Sequence, residues 1–216
     1  MKFFLKKTYF VFAFFTFFLQ DYSYSFPKTI VFLRHGEKPA GTPEDPDFGH
    51  LNHKGLRRAL KVPFVIKKKF GKPDYIFSPK INVDKKPPSK FMLNAPNIDI
   101  TSQQRAFETA MPSLVHFNVP LVDKYKENDF DGLYGALKLF PSSTKLVVLF
   151  WEHKNMAKFI QTKINFPSAI WPDDDFDRIY VAKYDEVKKS FSVTLEAEGL
   201  NHLSRQIRSG EVYNIN

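Results

Sequence analysis

Two long apolar runs along the chain each end abruptly in charged and histidine side chains. Ile30–Leu33 is followed by Arg34 and His35, and the run 146–151 is followed two residues later by His153. Unbroken apolar runs of this kind are typical of strands that are buried on both faces of a parallel sheet. Because unpaired charge is expensive to bury, the polar residues belong beyond the strand ends. In open α/β sheets that edge is the ligand-binding crevice, so the pattern predicts that both histidines converge there.

The rest of the chain alternates between short apolar runs and amphipathic segments. Asn52 is a good N-cap and Gly71 a good stop for a helix over about 53–70. A second helix begins at Thr101 or Ser102, and Pro112 predicts a kink or an early break in it. Strands that alternate with helices predict an α/β fold, a three-layer sandwich with a mostly parallel central sheet and helices on both faces. Further helices are predicted near 133–140 and 155–164, and further strands at 75–77, 120–122, 179–182 and 191–195, the last two as edge strands.

The N-terminus has the pattern of a secretory signal. Lysines precede an apolar core at 9–19, which is too short to span a bilayer as a helix, and Ser23 and Ser25 are small residues at the two positions that a signal peptidase reads. We therefore predict a signal peptide over 1–25, cleavage after Ser25, and one domain at 26–216 that is secreted or periplasmic and keeps no stable membrane anchor. An uncleaved anchor and a buried first helix are the alternatives.

Composition narrows the chemistry. The chain of 216 residues has no cysteine, which excludes thiol catalysis and cysteine-ligated zinc. A formal net charge of +9 favours anionic partners such as phosphate esters, nucleic acid or acidic lipid. The sequence lacks the aromatic spacing of an RNA-binding surface, so nucleic acid is not expected. The remaining histidines show no metal-ligand spacing, so no metal is expected.

Arg34, His35, Arg105 and His153 form a candidate phosphate site. Arg105 lies in the first turn of its predicted helix, where a cation opposes the helix dipole unless an anion binds at the same helix start. Guanidinium groups offer paired donors in a fixed geometry that suits phosphate. The imidazole of His35 can attack phosphorus if one ring nitrogen is unprotonated and the other donates to a carbonyl near Gly36.

The order of these motifs resembles the histidine phosphatase superfamily, which includes phosphoglycerate mutases and histidine acid phosphatases. The resemblance rests on Arg-His-Gly at 34–36, on Leu-Asn-His-Lys-Gly at 51–55, on Ser-x-x-Arg-Ala-x-x-Thr at 102–109, and on His153 after a late strand. It implies that 26–216 is a catalytic domain. The segment 151–154 lacks the His-Asp pair of the acid phosphatase branch.

The resemblance implies an exported phosphatase that hydrolyses phosphate monoesters through a phosphohistidine intermediate on His35. Arg34, Arg105 and His153 would bind the phosphate, with no metal or other cofactor. The partner would be an anionic phosphorylated small molecule or a phosphoprotein. A phosphoglycerate mutase-like phosphoryl transferase and a non-catalytic phosphate-binding protein with the same pocket are the alternatives.

The leaving oxygen of a phosphate ester needs a proton, so a carboxylic acid should lie nearby. Glu127, in the loop after the strand at 120–122, resembles the donor of the mutase-like branch. Glu152 and Asp131 remain candidates for the same role, as does Asp129. Two further segments each allow two interpretations. Residues 80–100 are predicted to be an insertion that forms a lid or a substrate wall. The acidic run 173–177 is predicted to be a solvated loop or a specificity element.

Overall fold

The computed structural model of the chain describes residues 23–45, 47–81 and 102–201. The strands are β1 (Tyr24–Ser25), β2 (Thr29–Arg34), β3 (Tyr75–Phe77), β4 (Leu121–Val122), β5 (Phe140–Pro141), β6 (Leu146–Trp151), β7 (Arg178–Asp185) and β8 (Ser190–Ala197). The helices are α1 (His53–Lys69), α2 (Ser102–Phe117), α3 (Phe130–Lys138) and α4 (His153–Thr162). Within these ranges, no helix has both the length and the apolar character needed to cross a membrane.

A six-stranded sheet forms the middle layer, in the order β4-β3-β6-β2-β7-β8. The first four strands in that order are parallel, whereas β7 is antiparallel to β2 and continues into the β7–β8 hairpin. The prediction of a mostly parallel central sheet is therefore confirmed. β1, at the start of the described chain, forms a separate antiparallel pair with β5.

Alternate residues of the central strands point into two different cores. Val31 and Leu33 of β2 pack with side chains of α1 and α2, whereas Ile30 and Phe32 pack on the other face with α3 and α4. All four of these β2 side chains are completely buried. Burial on both faces explains why the strand is continuously apolar, and it confirms the predicted layer of helices on each side of the sheet.

The boundaries of several elements differ from those predicted. The early break at Pro112 is wrong, because α2 continues to Phe117, and α1 likewise contains Pro63. Both helices pack their apolar faces on the sheet and on each other, which offsets the lost backbone hydrogen bond. The prediction that 179–182 is an edge strand is also wrong, since β7 lies buried between β2 and β8.

Helices α3 and α4 begin earlier than the apolar pattern indicates, because an acidic side chain caps each one. Asp129 accepts a hydrogen bond from the Gly132 amide, and Glu152 accepts from the amides after His153. Thr101, the insertion between β3 and α2 beyond residue 81, and the apolar core predicted for the signal peptide lie outside the described residues.

Candidate active site

The two strands that carry the predicted histidines are neighbours and end together. Arg34, the last residue of β2, lies opposite Trp151, the last residue of β6. The His35 amide extends this ladder by donating to the Trp151 carbonyl over 3.0 Å. The polar residues that follow β2 and β6 therefore meet at the carboxyl edge of the parallel sheet, where ligands bind in open α/β folds.

His35 has the tautomer and charge of a nucleophile. Its side chain is buried, and Nδ1 donates to the Gly36 carbonyl over 2.8 Å, which leaves Nε2 as the nitrogen with a free electron pair. Burial lowers the pKa of His35 to about 4; the Gly36 carbonyl opposes the shift, whereas Arg105 and Arg34 add to it. The imidazole is therefore neutral at physiological pH.

Helix α2 is tied directly to the segment that holds His35. The Gly36 amide donates to Thr109 Oγ1 over 2.9 Å, and the Thr109 hydroxyl donates to the Arg105 carbonyl over 2.7 Å. One buried threonine thus fixes the position of Arg105 relative to His35. Thr109 is the last residue of the Ser-x-x-Arg-Ala-x-x-Thr stretch, and its place one turn after Arg105 was the available sequence signal.

Two glycines allow the backbone of the segment that holds His35 to contact the backbone of α1. A Cβ on Gly36 would lie 2.8 Å from the Gly55 carbonyl oxygen, and a Cβ on Gly55 would lie 2.3 Å from the Glu37 carbonyl oxygen. Asn52, the N-cap of α1, adds to the contact because its backbone N–H donates to the Glu37 carbonyl over 3.0 Å. No residue larger than glycine fits either position without movement of the backbone.

A buried ion-pair network holds the next residue, Glu37. The Arg58 guanidinium of α1 donates to both Glu37 oxygens, at 3.0 and 2.8 Å, and also to Glu198 at 2.6 Å. Burial alone would raise the pKa of Glu37, but Arg58 outweighs it and the pKa is lowered. Sequence reasoning missed this network; the signal was an arginine in line with the apolar face of α1, one turn before Val62.

The segment before β7 covers Arg34. Arg34 Nη1 donates to the carbonyls of Pro172 and Asp175, each over 3.1 Å. The Arg34 guanidinium also stacks on the Phe176 ring, with 3.7 Å to the ring centroid. Burial lowers the pKa of Arg34 to about 10, so it stays protonated. Among the described residues, its buried Nε has no hydrogen-bond partner. The unassigned acidic run therefore packs against the site.

Arg105 and His153 also contact carboxylates, Asp47 in the first case and both Glu152 and Asp173 in the second. Arg105 Nη1 donates to both oxygens of Asp47, at 2.7 and 3.0 Å, and its Nε has no partner in the described part of the chain. His153 is the first residue of α4, and its Nε2 donates to Asp173 Oδ1 over 2.7 Å. The sequence analysis did not single out Asp47, and it treated Asp173 only as part of the acidic run 173–177.

The acids considered as proton donors have different surroundings. Burial would raise the pKa of Glu152, but the contact with His153 and the backbone amides that Glu152 caps outweigh burial and lower the pKa to about 2. Asp131 is exposed in the first turn of α3 and pairs with Lys163, and Asp129 caps that helix. The Glu127 carbonyl accepts a hydrogen bond from Trp151 Nε1 over 2.9 Å, so Glu127 lies beside the carboxyl end of β6.

Solved structures of histidine phosphatases share this fold. The protein histidine phosphatase SixA complexed with tungstate is 11% identical, with 79% of this chain and 97% of that chain covered and a TM-score of 0.50. A protein described as phosphohistidine phosphatase SixA from Agrobacterium tumefaciens is 18% identical, with 80% and 99% covered and a TM-score of 0.49. No family model matches the chain, and no curated protein matches it in sequence. The likeness identifies the fold of this chain as the histidine phosphatase fold.

Proposed function

We propose that this protein is a histidine phosphatase, a phosphoric monoester hydrolase that uses His35 as its nucleophile. The observation that carries the proposal is the state of His35, which is neutral, oriented by the Gly36 carbonyl, and close enough to two guanidinium groups that they lower its pKa. The shared fold supports the same class of protein, although identity of 11% does not select a substrate.

The reaction proceeds in two transfers at one site. Arg34, Arg105 and His153 donate hydrogen bonds to the phosphoryl oxygens, and these fixed donors stabilise the negative charge of the transferring group. His35 Nε2 attacks phosphorus as the ester oxygen leaves with a proton from a carboxylic acid. Water then attacks the phosphohistidine and returns a proton to the same carboxylate, which releases inorganic phosphate and neutral His35.

We assign the proton transfer to Glu127. The half-buried position beside the end of β6 supports this choice, because the leaving group must emerge at the carboxyl edge of the sheet. Glu152 is a weaker candidate, since both of its carboxylate oxygens accept from the first amides of α4 and one of them also contacts His153. Asp131 is engaged with Lys163 of the segment after α4.

The substrate is an anionic phosphorylated small molecule or a phosphoprotein, met outside the cytoplasm. Export follows from the predicted signal peptide, whose removal after Ser25 would delete β1 but leave Phe26 as the new first residue. Phe26 is buried and packs against Tyr134 and Tyr184. The mature chain would therefore keep its core, and N-terminal sequencing of the exported protein should begin at Phe26. A membrane-retained form with residues 1–25 intact would contradict cleavage after Ser25, and a wholly cytoplasmic protein would contradict export.

The direct test is turnover of p-nitrophenyl phosphate by purified protein. His35→Ala should lose at least about 10³-fold in kcat, a loss on the scale of a missing nucleophile. His116→Ala is the matched control, because His116 is an exposed histidine near the end of α2, and it should keep wild-type turnover. Circular dichroism and the Tm establish that each variant is folded. Undiminished turnover in folded His35→Ala would reject the proposal.

A further inference from the structure

Asp47 lies next to Arg105, between the candidate phosphate pocket and the protein surface. It belongs to the loop between β2 and α1, and its two oxygens lie 2.7 and 3.0 Å from Arg105 Nη1. Its Oδ2 also lies 3.2 Å from the ammonium group of Lys38, whose side chain is about half exposed. The carboxylate thus bridges an inner cation of the pocket and an outer lysine.

Asp173 makes the same kind of bridge on the side of His153. Its Oδ1 lies 2.7 Å from His153 Nε2 and 3.2 Å from Lys154 Nζ. The Asp173 side chain is 73% exposed, whereas that of His153 is 9% exposed. The exposed Asp173 carboxylate therefore contacts the buried His153 imidazole, even though Lys154 alone would provide the carboxylate with a counterion at the surface.

Both carboxylates occupy donors that a phosphoryl group needs. A carboxylate presents oxygens to N–H donors at the same distances as a phosphate does, so the two ligands compete for one donor. We propose that Asp47 and Asp173 are internal ligands of the phosphate pocket, which compete with the phosphoryl group and set its affinity. The inference rests on the proposed function, because it assigns Arg105 and His153 to phosphate.

The outer lysines make the exchange reversible at small energetic expense. When phosphate binds to Arg105, Asp47 loses its contact with Arg105 but retains its ion pair with Lys38. Asp173 likewise retains its ion pair with Lys154 when phosphate binds to His153. The apparent affinity for phosphate is then the intrinsic affinity multiplied by the fraction of molecules in which the inner donors are free. A dianionic phosphoryl group displaces the carboxylates more readily than a singly charged anion does, so the internal ligands select for phosphate.

Removal of either negative charge should therefore tighten phosphate binding. Asp47→Asn keeps a side-chain oxygen that can accept from the Gly49 amide, which lies 2.9 Å from Oδ1, so the local turn is retained. We expect inorganic phosphate to bind about two- to fivefold more tightly to Asp47→Asn and to Asp173→Asn, and about tenfold more tightly to the double variant, on the scale of accessible ion pairs. The probe is inorganic phosphate, titrated into purified protein in a calorimeter.

Two neighbouring carboxylates provide matched controls. Asp45 and Asp174 are exposed, lie one or two residues from the tested positions, and make no contact with Arg34, Arg105 or His153 that the structure records. Asp45→Asn and Asp174→Asn should bind phosphate with wild-type affinity, which separates local competition from a general change in net charge.

The opposite result distinguishes a positioning role. If Asp47 and Asp173 serve to hold Arg105 and His153 in place, both asparagine variants will bind phosphate more weakly, and the inference is overturned. Unchanged affinity in both variants overturns it as well, while phosphate binding by the wild type leaves the proposed function intact. Failure of wild type and all variants to bind phosphate would overturn the phosphate pocket and the internal ligands together.

Discussion

The substitution Gly55→Ala adds one methyl group, and it should lower the stability of the protein less than it lowers the rate of catalysis. A Cβ at this position would lie 2.3 Å from the Glu37 carbonyl oxygen, whereas ordinary contacts begin at 3.4 Å. The atom opposite is backbone and cannot rotate away. Gly55→Ala therefore requires the start of α1 and the segment after His35 to move apart by about 1 Å.

The expected loss of stability is moderate. Alanine favours a helix over glycine by up to about 1 kcal/mol, and overpacking a tight contact costs about 1–3 kcal/mol. The free energy of unfolding should therefore fall by about 1–2 kcal/mol. The catalytic loss should be larger, because a shift at Glu37 also displaces the Gly36 carbonyl that orients His35. A misplacement of about 1 Å costs about 10²-fold in rate.

Denaturant unfolding and turnover of p-nitrophenyl phosphate measure the two effects on the same preparations. Gly135→Ala in α3 is the matched control, because a Cβ there would meet no atom within 4 Å. That variant should gain about 0.5–1 kcal/mol in stability and keep wild-type kcat. Wild-type kcat in Gly55→Ala would refute the argument that the glycine contact sets the position of the nucleophile.

Three further predictions concern the site. Arg105→Ala should weaken phosphate binding by about 2 kcal/mol, measured by calorimetry, while a chelator leaves turnover unchanged; loss of activity restored by a divalent ion would contradict the site. The pKa of His35 falls from 6.5 to about 4 on folding, so the free energy of unfolding should decline as the pH falls from 6.5 towards 4, because only the unfolded chain binds the proton in that range, whereas kcat/KM should hold until the folded His35 is itself protonated near pH 4; pH profiles of unfolding and of kcat/KM measure the two effects. Glu127→Gln should slow hydrolysis of an alkyl phosphate strongly and of p-nitrophenyl phosphate weakly, because nitrophenolate leaves without a proton; equal effects on both substrates would move the role to another acid.

The sequence pattern is sufficient to predict the central parallel strands and the edge of the sheet at which the candidate site lies. β2 and β6 are recognisable because strands buried on both faces are continuously apolar, and the charge that follows each one marks the strand end. β1 and β5 were not predicted, because strands of two residues are too short to show a periodicity. The early starts of α3 and α4 were missed because Asp129 and Glu152 were considered as proton donors rather than as N-caps.

The contacts that complete the site could not be predicted from local pattern. Asp47 and Arg105 are 58 residues apart, and Arg58 and Glu198 are 140 residues apart. In a chain with many acids and bases, periodicity assigns residues to faces of helices and strands but does not say which charges meet. Asp173 illustrates the point, since an acidic run between two apolar segments is compatible with a solvated loop until the fold brings it to His153.

The central claim is that His35 carries the phosphoryl group during turnover. The most direct measurement is rapid quenching of the purified protein with a radiolabelled phosphate monoester, followed by tests of the acid and alkali stability of the protein-bound label. A phosphohistidine is labile in acid and stable in alkali, so wild-type protein should retain label through an alkaline quench and lose it in acid. His35→Ala should trap none. Label that is stable in acid, or that persists in His35→Ala, would contradict the account.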